Sequence, residues 1–293
     1  MEELFKCPVC ESSSLSTSFT ARDHFLTQEY FLIAKCKSCG FLFTNPRPEP
    51  SELSRYYQSD EYLSHSATKK NFLGSIYSLL RIVAIRRKYK LITKFKTKGK
   101  ILDIGCGSGE FLNYFKHRDW ETLGIEPAEK PREFATNKYG LSVFQEDQLN
   151  FFEPQTFDVI TMWHVLEHIS ALDERIIQVK KLLNKDGLLI VAIPNSQSWD
   201  AKHYKEYWAA WDVPRHLYHF TKLSFSNFAN RHHLKIHKTY PMKFDSYYVS
   251  LLSEKYKTGK TNFVAALING FVSNISAKFN SGNYSSLIFL LKK

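Results

Sequence analysis

Residues 101–111 read ILDIGCGSGEF, a short apolar run that ends in glycine at every second position. Such a run, followed at once by Gly105, Gly107 and Gly109, predicts a strand that turns sharply into a helix. Glycine permits the positive φ of the turn and lets a ligand come close to the backbone. The pattern then repeats, because TLGIE, LSVF, FDVITMW and LLIVAIP are short apolar runs separated by helix-like segments. Strands alternating with helices imply crossover connections and a parallel sheet. The expected class is α/β, with a doubly wound sheet.

The residues around the turn select the ligand. Asp103 precedes it, and Glu110 stands where a dinucleotide fingerprint has its third glycine. An anionic pyrophosphate would meet two carboxylates there. S-adenosylmethionine has no phosphate and carries a sulfonium and an ammonium, so an acidic turn suits it. Glu126, ending the second strand, is placed to accept hydrogen bonds from both ribose hydroxyls. Asp147 after the third strand is a candidate for the adenine amino group, with the backbone of Gln148 and Leu149 beside it. The alternative is a strand-to-helix turn that holds no ligand.

Charge is distributed in the same sense. The 293 residues carry a net charge of +11, yet residues 101–200 hold 9 Lys+Arg against 16 Asp+Glu, between two basic flanks. A cationic cofactor in the centre and an anionic acceptor under the flanks fit this division, as does a basic exterior that serves solubility alone. MEELFKCPVC lacks the basic start and apolar core of a signal peptide. No stretch approaches the roughly 18 apolar residues of a membrane span. A cytoplasmic location is expected.

Four of the five cysteines fall as Cys7-Pro-Val-Cys10 and Cys36-Lys-Ser-Cys39. Two such knuckles point four thiolates at one tetrahedral Zn²⁺, and four protein ligands leave no open position, so a structural ion is expected. A disulfide or redox pair is disfavoured by a reducing compartment and by the pairing of knuckles. Residues 1–50 are read as a zinc ribbon with FLIAK and FLFTN as strands. Residues 51–99 are read as a helical linker, polar near 58–70, with Phe72, Ile76, Leu79, Leu80 and Val83 at helical spacing. Residues 100–293 form the main domain, with insertions near 198–220 and 245–283. A helix is expected over Lys222–Arg231, a strand near Leu234–Tyr240, and a last strand at SLIFLL. Phe263, Val264, Leu267, Ile268, Phe271, Val272 and Ile275 share one helical face, read as packed against the domain, with a lid, a dimer face and a lipid-contacting surface as alternatives.

Through ILDIGCGSG, GIEP, EDQLNFF, FDVITMWHVLEH and LLNKDGLLIVAIPN, residues 100–195 resemble the class I S-adenosylmethionine-dependent methyltransferases. The resemblance implies a seven-stranded Rossmann-like sheet with an antiparallel last strand. It places the methionine end on Asp103, Gly105 and Gly107, the ribose on Glu126, the adenine on Asp147, and a wall of the site on Trp163 and His164. With CPVC, CKSCGFLFTNPRP, WDVPRHLYHF and NYSSLIFLLKK nearly the whole chain is similar to bacterial zinc-ribbon methyltransferases, which implies a polysaccharide or secondary-metabolite pathway; the function expected of the chain is methyl transfer to a small-molecule or lipid- or sugar-linked acceptor at oxygen. Some ribosomal RNA guanine methyltransferases also place a four-ligand zinc module before this fold, so an RNA methyltransferase is the rival reading. Against it, HVLEH stands where many base-methylating enzymes carry an Asn/Asp-Pro-Pro-aromatic signature. A non-catalytic cofactor-binding module is the third.

Two clusters are candidates for chemistry. His164-Val-Leu-Glu167-His168 matches H-x-x-E-H, a zinc-protease pattern, but it begins where a strand ends rather than within a helix. The resemblance to methyltransferases of ubiquinone synthesis puts this segment at the reaction site. His164 or His168 is then a candidate general base, or Glu167 and His168 help to hold a divalent ion, while a histidine capping a helix start is the plain alternative. The second cluster is Trp208, Trp211, Asp212, Arg215, His216, Tyr218 and His219. There Arg215 could pair with an acceptor carboxylate or phosphate, with His216 and His219 as further catalytic candidates and the tryptophans walling a ring. The competing reading makes the tryptophans core and Asp212–Arg215 an internal ion pair.

Overall fold

The computed structural model describes residues 1–57 and 72–293. The linker read near 58–70 lies outside the described residues, as do the side chains of Phe72, Ile76, Leu79 and Leu80. The chain forms two compact units, and neither follows the boundaries 1–50, 51–99 and 100–293. One consists of Met1–Tyr57, His164–Glu174 and Val191–Leu291; the other runs to Trp163 and adds Arg175–Ile190 and the last two residues.

The first unit begins with strands β1 (Leu15–Arg22), β2 (Tyr30–Cys36) and β3 (Leu42–Thr44), which pair antiparallel. A two-residue strand, β9 (Tyr218–His219), adds to the edge of β3, with Leu42 opposite His219 and Phe43 opposite Tyr218. The sheet of the N-terminal strands thus takes its fourth strand from residues about 175 positions further on. Phe31, Ile33, Tyr56, Tyr204, Trp208, Trp211 and Val213 form one apolar core inside this unit.

The other unit holds helix α1 (Phe72–Thr93) and the glycine turn. Strands β4 (Lys100–Ile104), β5 (Glu121–Ile125), β6 (Ser142–Phe144) and β7 (Phe157–Trp163) are parallel, in the order β7-β4-β5-β6. Helices α2 (Glu110–Lys116) and α3 (Glu129–Tyr139) are the crossovers, and α4 (Leu172–Leu182) leads into β8 (Leu183–Pro194). Buried Ile101, Leu102, Ile104, Val159, Ile160 and Met162 explain the continuous apolar runs, since parallel strands are covered on both faces.

After β8 come α5 (Trp199–Tyr204), α6 (Lys222–Arg231), β10 (Lys235–Pro241), α7 (Asp245–Thr258), α8 (Phe263–Phe279) and β11 (Ser286–Lys292). Helix α6 starts in a capping box between Thr221 and Ser224. The full sheet is mixed and seven-stranded, ordered β10-β11-β8-β7-β4-β5-β6, the Rossmann-like architecture expected.

Helix α8 reverses its expected orientation. Phe263, Val264, Leu267, Ile268 and Phe271 are all more than half exposed, while Ala266, Gly270, Ser273, Asn274 and Ala277 are buried. The helix packs by its small residues: a Cβ on Gly270 would sit 2.6 Å from the Tyr247 ring of α7. Close approach of two helices selects glycine there and leaves the large apolar side chains outside.

Candidate functional site

The end of β4 carries Asp103 into the glycine turn. Its side chain is buried, and among the described residues its carboxylate accepts a hydrogen bond from Thr161 Oγ1 at 2.6 Å. Burial pushes this carboxyl up to about 7, against the hydroxyl bond and the positive charge of Lys88. A carboxylate in that condition gains from any cation placed beside it. Gly105, Gly107 and Gly109 all have positive φ. They differ in what surrounds them: a Cβ on Gly107 would meet nothing within 4 Å, whereas one on Gly109 would collide with Leu141 and Ala135. Gly109 is thus demanded by packing against α3, and Gly107 leaves open space above the turn.

Glu126 follows β5 and folds back on the turn, accepting the Gly107 N–H and the Ala128 N–H, each at 2.9 Å. Burial raises its pKa, opposed by those two donors. Each carboxylate oxygen retains a second lone pair for a hydroxyl. Asp147 is exposed in the single turn of 3-10 helix after β6, next to half-buried Gln148. Trp163 closes β7, with the Lys88 ammonium 4.0 Å from its ring centroid. The Trp163 Nε1–H is buried and has no partner among the described residues. A cationic, hydroxyl-bearing nucleoside fits this set: an open glycine beside a buried carboxylate with one bond and an indole N–H with none, both counted among the described residues. Lys88 and Thr161 were not singled out from sequence. Lys88 sits in a basic run like any solvated face, and Thr161 is one residue of an apolar strand.

The other unit assembles the histidines. His164 has a φ of 57°, which a non-glycine residue adopts rarely. Its Nδ1 lies 3.3 Å from Glu167 Oε1 and its Nε2 lies 3.0 Å from Asp245 Oδ2. Burial alone would lower this imidazole, but the two carboxylates outweigh it and raise it to about 10, which favours the imidazolium at neutral pH. His168, lowered to about 4 mainly by burial and then by neighbouring His216, is a weak base. The pattern His164–His168 spans a strand end and a three-residue 3-10 turn (Leu166–His168), not one helix face, as a protease site requires. Asp245, 81 residues away, carried no sequence signal.

The segment after β8 corrects the second set of candidates. Arg215 is 1% exposed and binds Asp23 Oδ1 at 2.8 Å, Asp212 Oδ1 at 2.7 Å and the Tyr56 carbonyl at 3.1 Å. Its guanidinium is committed to the interior and is not offered to an acceptor. Trp208 donates to Asp200, Trp211 donates to the Lys205 carbonyl, and His219 lies 3.2 Å from Thr44 Oγ1 and packs against Trp211. His219 is driven well below its usual pKa by burial. These side chains are core. His216 is buried too, but it lies beside Glu167 and His168.

At the N-terminus the sulfurs of Cys7, Cys10, Cys36 and Cys39 lie within 4.8 Å of one another, with Cys7–Cys39 and Cys10–Cys36 each at 3.6 Å. None is in a disulfide. Burial pushes the Cys7 thiol up, and the Val9 N–H, 3.4 Å from its Sγ, opposes that push. Four convergent thiols at this spacing form the donor set of a tetrahedral soft-metal site.

A family model described as a methyltransferase domain matches residues 78–239. An uncharacterized methyltransferase from Bacillus cytotoxicus is 31% identical over 101 residues, covering 33% of this chain and 48% of that relative. One from Bacillus mycoides is 30% identical over 102 residues, with the same coverage. The chain therefore spans about half the length of these curated relatives. Among solved structures, a 1,6-didemethyltoxoflavin-N1-methyltransferase from Burkholderia thailandensis, with bound 1,6-didemethyltoxoflavin and S-adenosylhomocysteine, has 15% identity and a TM-score of 0.51 over 93% of this chain and 99% of that one. At that identity the likeness is one of fold.

Proposed function

The chain belongs to the methyltransferase-domain family, and from that membership we propose that it transfers a methyl group from S-adenosylmethionine to a small-molecule or lipid- or sugar-linked acceptor, at oxygen, in a biosynthetic pathway. The observation that carries this reading is the buried, under-bonded carboxylate of Asp103 beside the open Gly107, a combination that favours a cation and disfavours a phosphate. S-adenosylmethionine supplies the electrophilic methyl on its sulfonium. Asp103 and the backbone at Gly105 and Gly107 hold the methionine end, Glu126 the ribose, Asp147 and Gln148 the adenine edge, and Trp163 an apolar wall with one donor. In-line displacement draws most of its rate from placing the nucleophile close and aligned. His164, held by Glu167 and Asp245, is a positioning residue in this scheme. Cys7, Cys10, Cys36 and Cys39 hold a structural Zn²⁺ that fixes the two knuckles.

A lipid-linked or otherwise anionic acceptor is supported by α8. Its outward apolar face is accompanied, beyond Glu254, by six lysines and no acidic residue, as an anionic lipid surface would favour. No described helix is long and apolar enough to cross a membrane, so contact would be peripheral. The decisive experiment gives the purified protein methyl-labelled S-adenosylmethionine and a fractionated bacterial extract. Label in small molecules or lipids supports the proposal. Label in RNA overturns the acceptor class, and absence of both cofactor binding and label overturns the enzyme.

A further inference from the structure

Glu167 is fully buried, and its two oxygens are unequal. Oε1 faces His164 Nδ1, while Oε2 has no hydrogen-bond partner among the described residues. A buried carboxylate oxygen left bare is costly, and such groups in folded proteins call for a specific explanation. The atoms next to it supply one.

His168 Nδ1 lies 3.0 Å from the Arg215 carbonyl oxygen and 3.0 Å from the Tyr57 hydroxyl. His216 Nδ1 lies 2.8 Å from the Ala210 carbonyl oxygen. A carbonyl only accepts, so each imidazole donates from Nδ1 and, when neutral, presents a lone pair at Nε2. Donation of the remote ring N–H to a backbone carbonyl is the usual way a protein orients a metal-binding histidine. The two rings stand edge to face with centroids 4.5 Å apart. One donor atom from each of Glu167, His168 and His216 lies within 4.8 Å of the others. Donors bound at about 2.1 Å are at most about 4.2 Å apart, so side-chain adjustments on the order of an ångström close the three on an ion.

We propose that Glu167, His168 and His216 form a second metal site, distinct from the four cysteines, for a divalent transition ion. Two imidazoles and one carboxylate select zinc, manganese, iron, cobalt or nickel over magnesium or calcium, which prefer all-oxygen shells. Three protein ligands leave coordination positions open, unlike the closed set of four thiolates. The neighbouring charges have partners of their own: Asp212 is bound by Arg215, with its Oδ2 a further 3.9 Å from His216 Nε2, and His164 is bound by Asp245, so the bare Oε2 of Glu167 is the carboxylate oxygen left for an ion. His216 comes from the chain 48 residues after His168, which is why H-x-x-E-H alone did not reveal the third ligand.

The test needs no methyl transfer, so it is independent of the proposed activity. The full chain is loaded with Co²⁺, freed of excess, and its metal content and optical spectrum are measured for wild type and for His216→Asn and Glu167→Gln. The expected result is one more equivalent in wild type than in either variant, and a wild-type-minus-variant spectrum without thiolate-to-cobalt charge transfer. A wild type whose cobalt is all thiolate-bound overturns the proposal, as does a variant that keeps the additional equivalent. The wild-type spectrum decides even if a variant fails to fold.

Discussion

The glycine turn and the segment from Trp199 to His219 are both crowded with residues that do chemistry elsewhere, and they use them in opposite ways. Around the turn, polar groups are left short of partners: Asp103 has one hydroxyl donor and Trp163 Nε1 has none among the described residues. In the segment Arg215 is spread over two carboxylates and a carbonyl and both indoles donate to protein acceptors, while His216 turns out of this network toward Glu167 and His168. Residue type alone therefore does not separate site from scaffold. Unspent hydrogen-bonding capacity points to a site where several such groups converge, as at the turn; isolated cases such as Trp120 Nε1 and Asn274 Oδ1 occur elsewhere among the described residues.

The contrast is most exposed to test at Arg215. Arg215→Ala strands Asp23 as a buried charge and half-buried Asp212 beside it, and is expected to destabilise the chain by about 3–5 kcal/mol, read from urea unfolding. A stable R215A protein that binds cofactor but fails to transfer methyl would move Arg215 into the site and erase the distinction. Asp103→Asn should do the reverse, weakening S-adenosylmethionine binding in calorimetry by about 10- to 100-fold, or about 1.5–3 kcal/mol, with folding intact. The pH dependence sharpens this. A cation binds the ionised carboxylate, so wild-type affinity should rise as pH passes upward through about 7, and D103N should be flat. In the unliganded protein the sign is opposite: the folded carboxyl keeps its proton above the ordinary range, so its contribution to stability falls as pH rises between about 4 and 7.

Glycines separate the two roles within the turn itself. Gly109→Ala, with its Cβ against Leu141 and Ala135, should lose about 1–3 kcal/mol of stability. Gly107→Ala should lose only about 1 kcal/mol, from its positive φ, but should impair cofactor binding. Equal stability losses with unchanged affinity would show that both glycines are scaffold. The smallest effect is expected on α8, where Leu267→Ser should shift stability by no more than about 0.5 kcal/mol while reducing adsorption to anionic vesicles. A large loss of stability would mean that this face is covered in the folded protein.

Most of the central sheet was legible because its signals are local. Each apolar run from ILDI to LLIVAIP is long enough to name a strand, and α6 was expected over Lys222–Arg231, the span it occupies. Glu126 and Asp103 were legible for the same reason, since their positions follow from strand ends. What escaped depended on distant partners. Strand β9 is two residues long and exists only because β3 offers an edge. Asp23, which decides the fate of Arg215, lies 192 residues from it. The stripe on α8 was assigned inward by periodicity, but Tyr247 against Gly270 turned the opposite face to the protein.

The lateness of β9 also dictates an order of events on the ribosome. Phe41 and Phe43 have no exposed surface in the finished protein, where Phe41 packs at a tilt against Phe220 and Phe43 stands opposite Tyr218. A nascent chain emerging N-terminus first must carry both aromatics, and an unpaired strand edge, until the codons for residues 218–220 have been read. Metal captured by the cysteines would hold the knuckles during that interval but could not cover the edge, which exposes the growing polypeptide to self-association. Fragments that stop short of Tyr218 should accordingly collect in inclusion bodies, and supplying the missing strand as a separate peptide should restore part of their solubility.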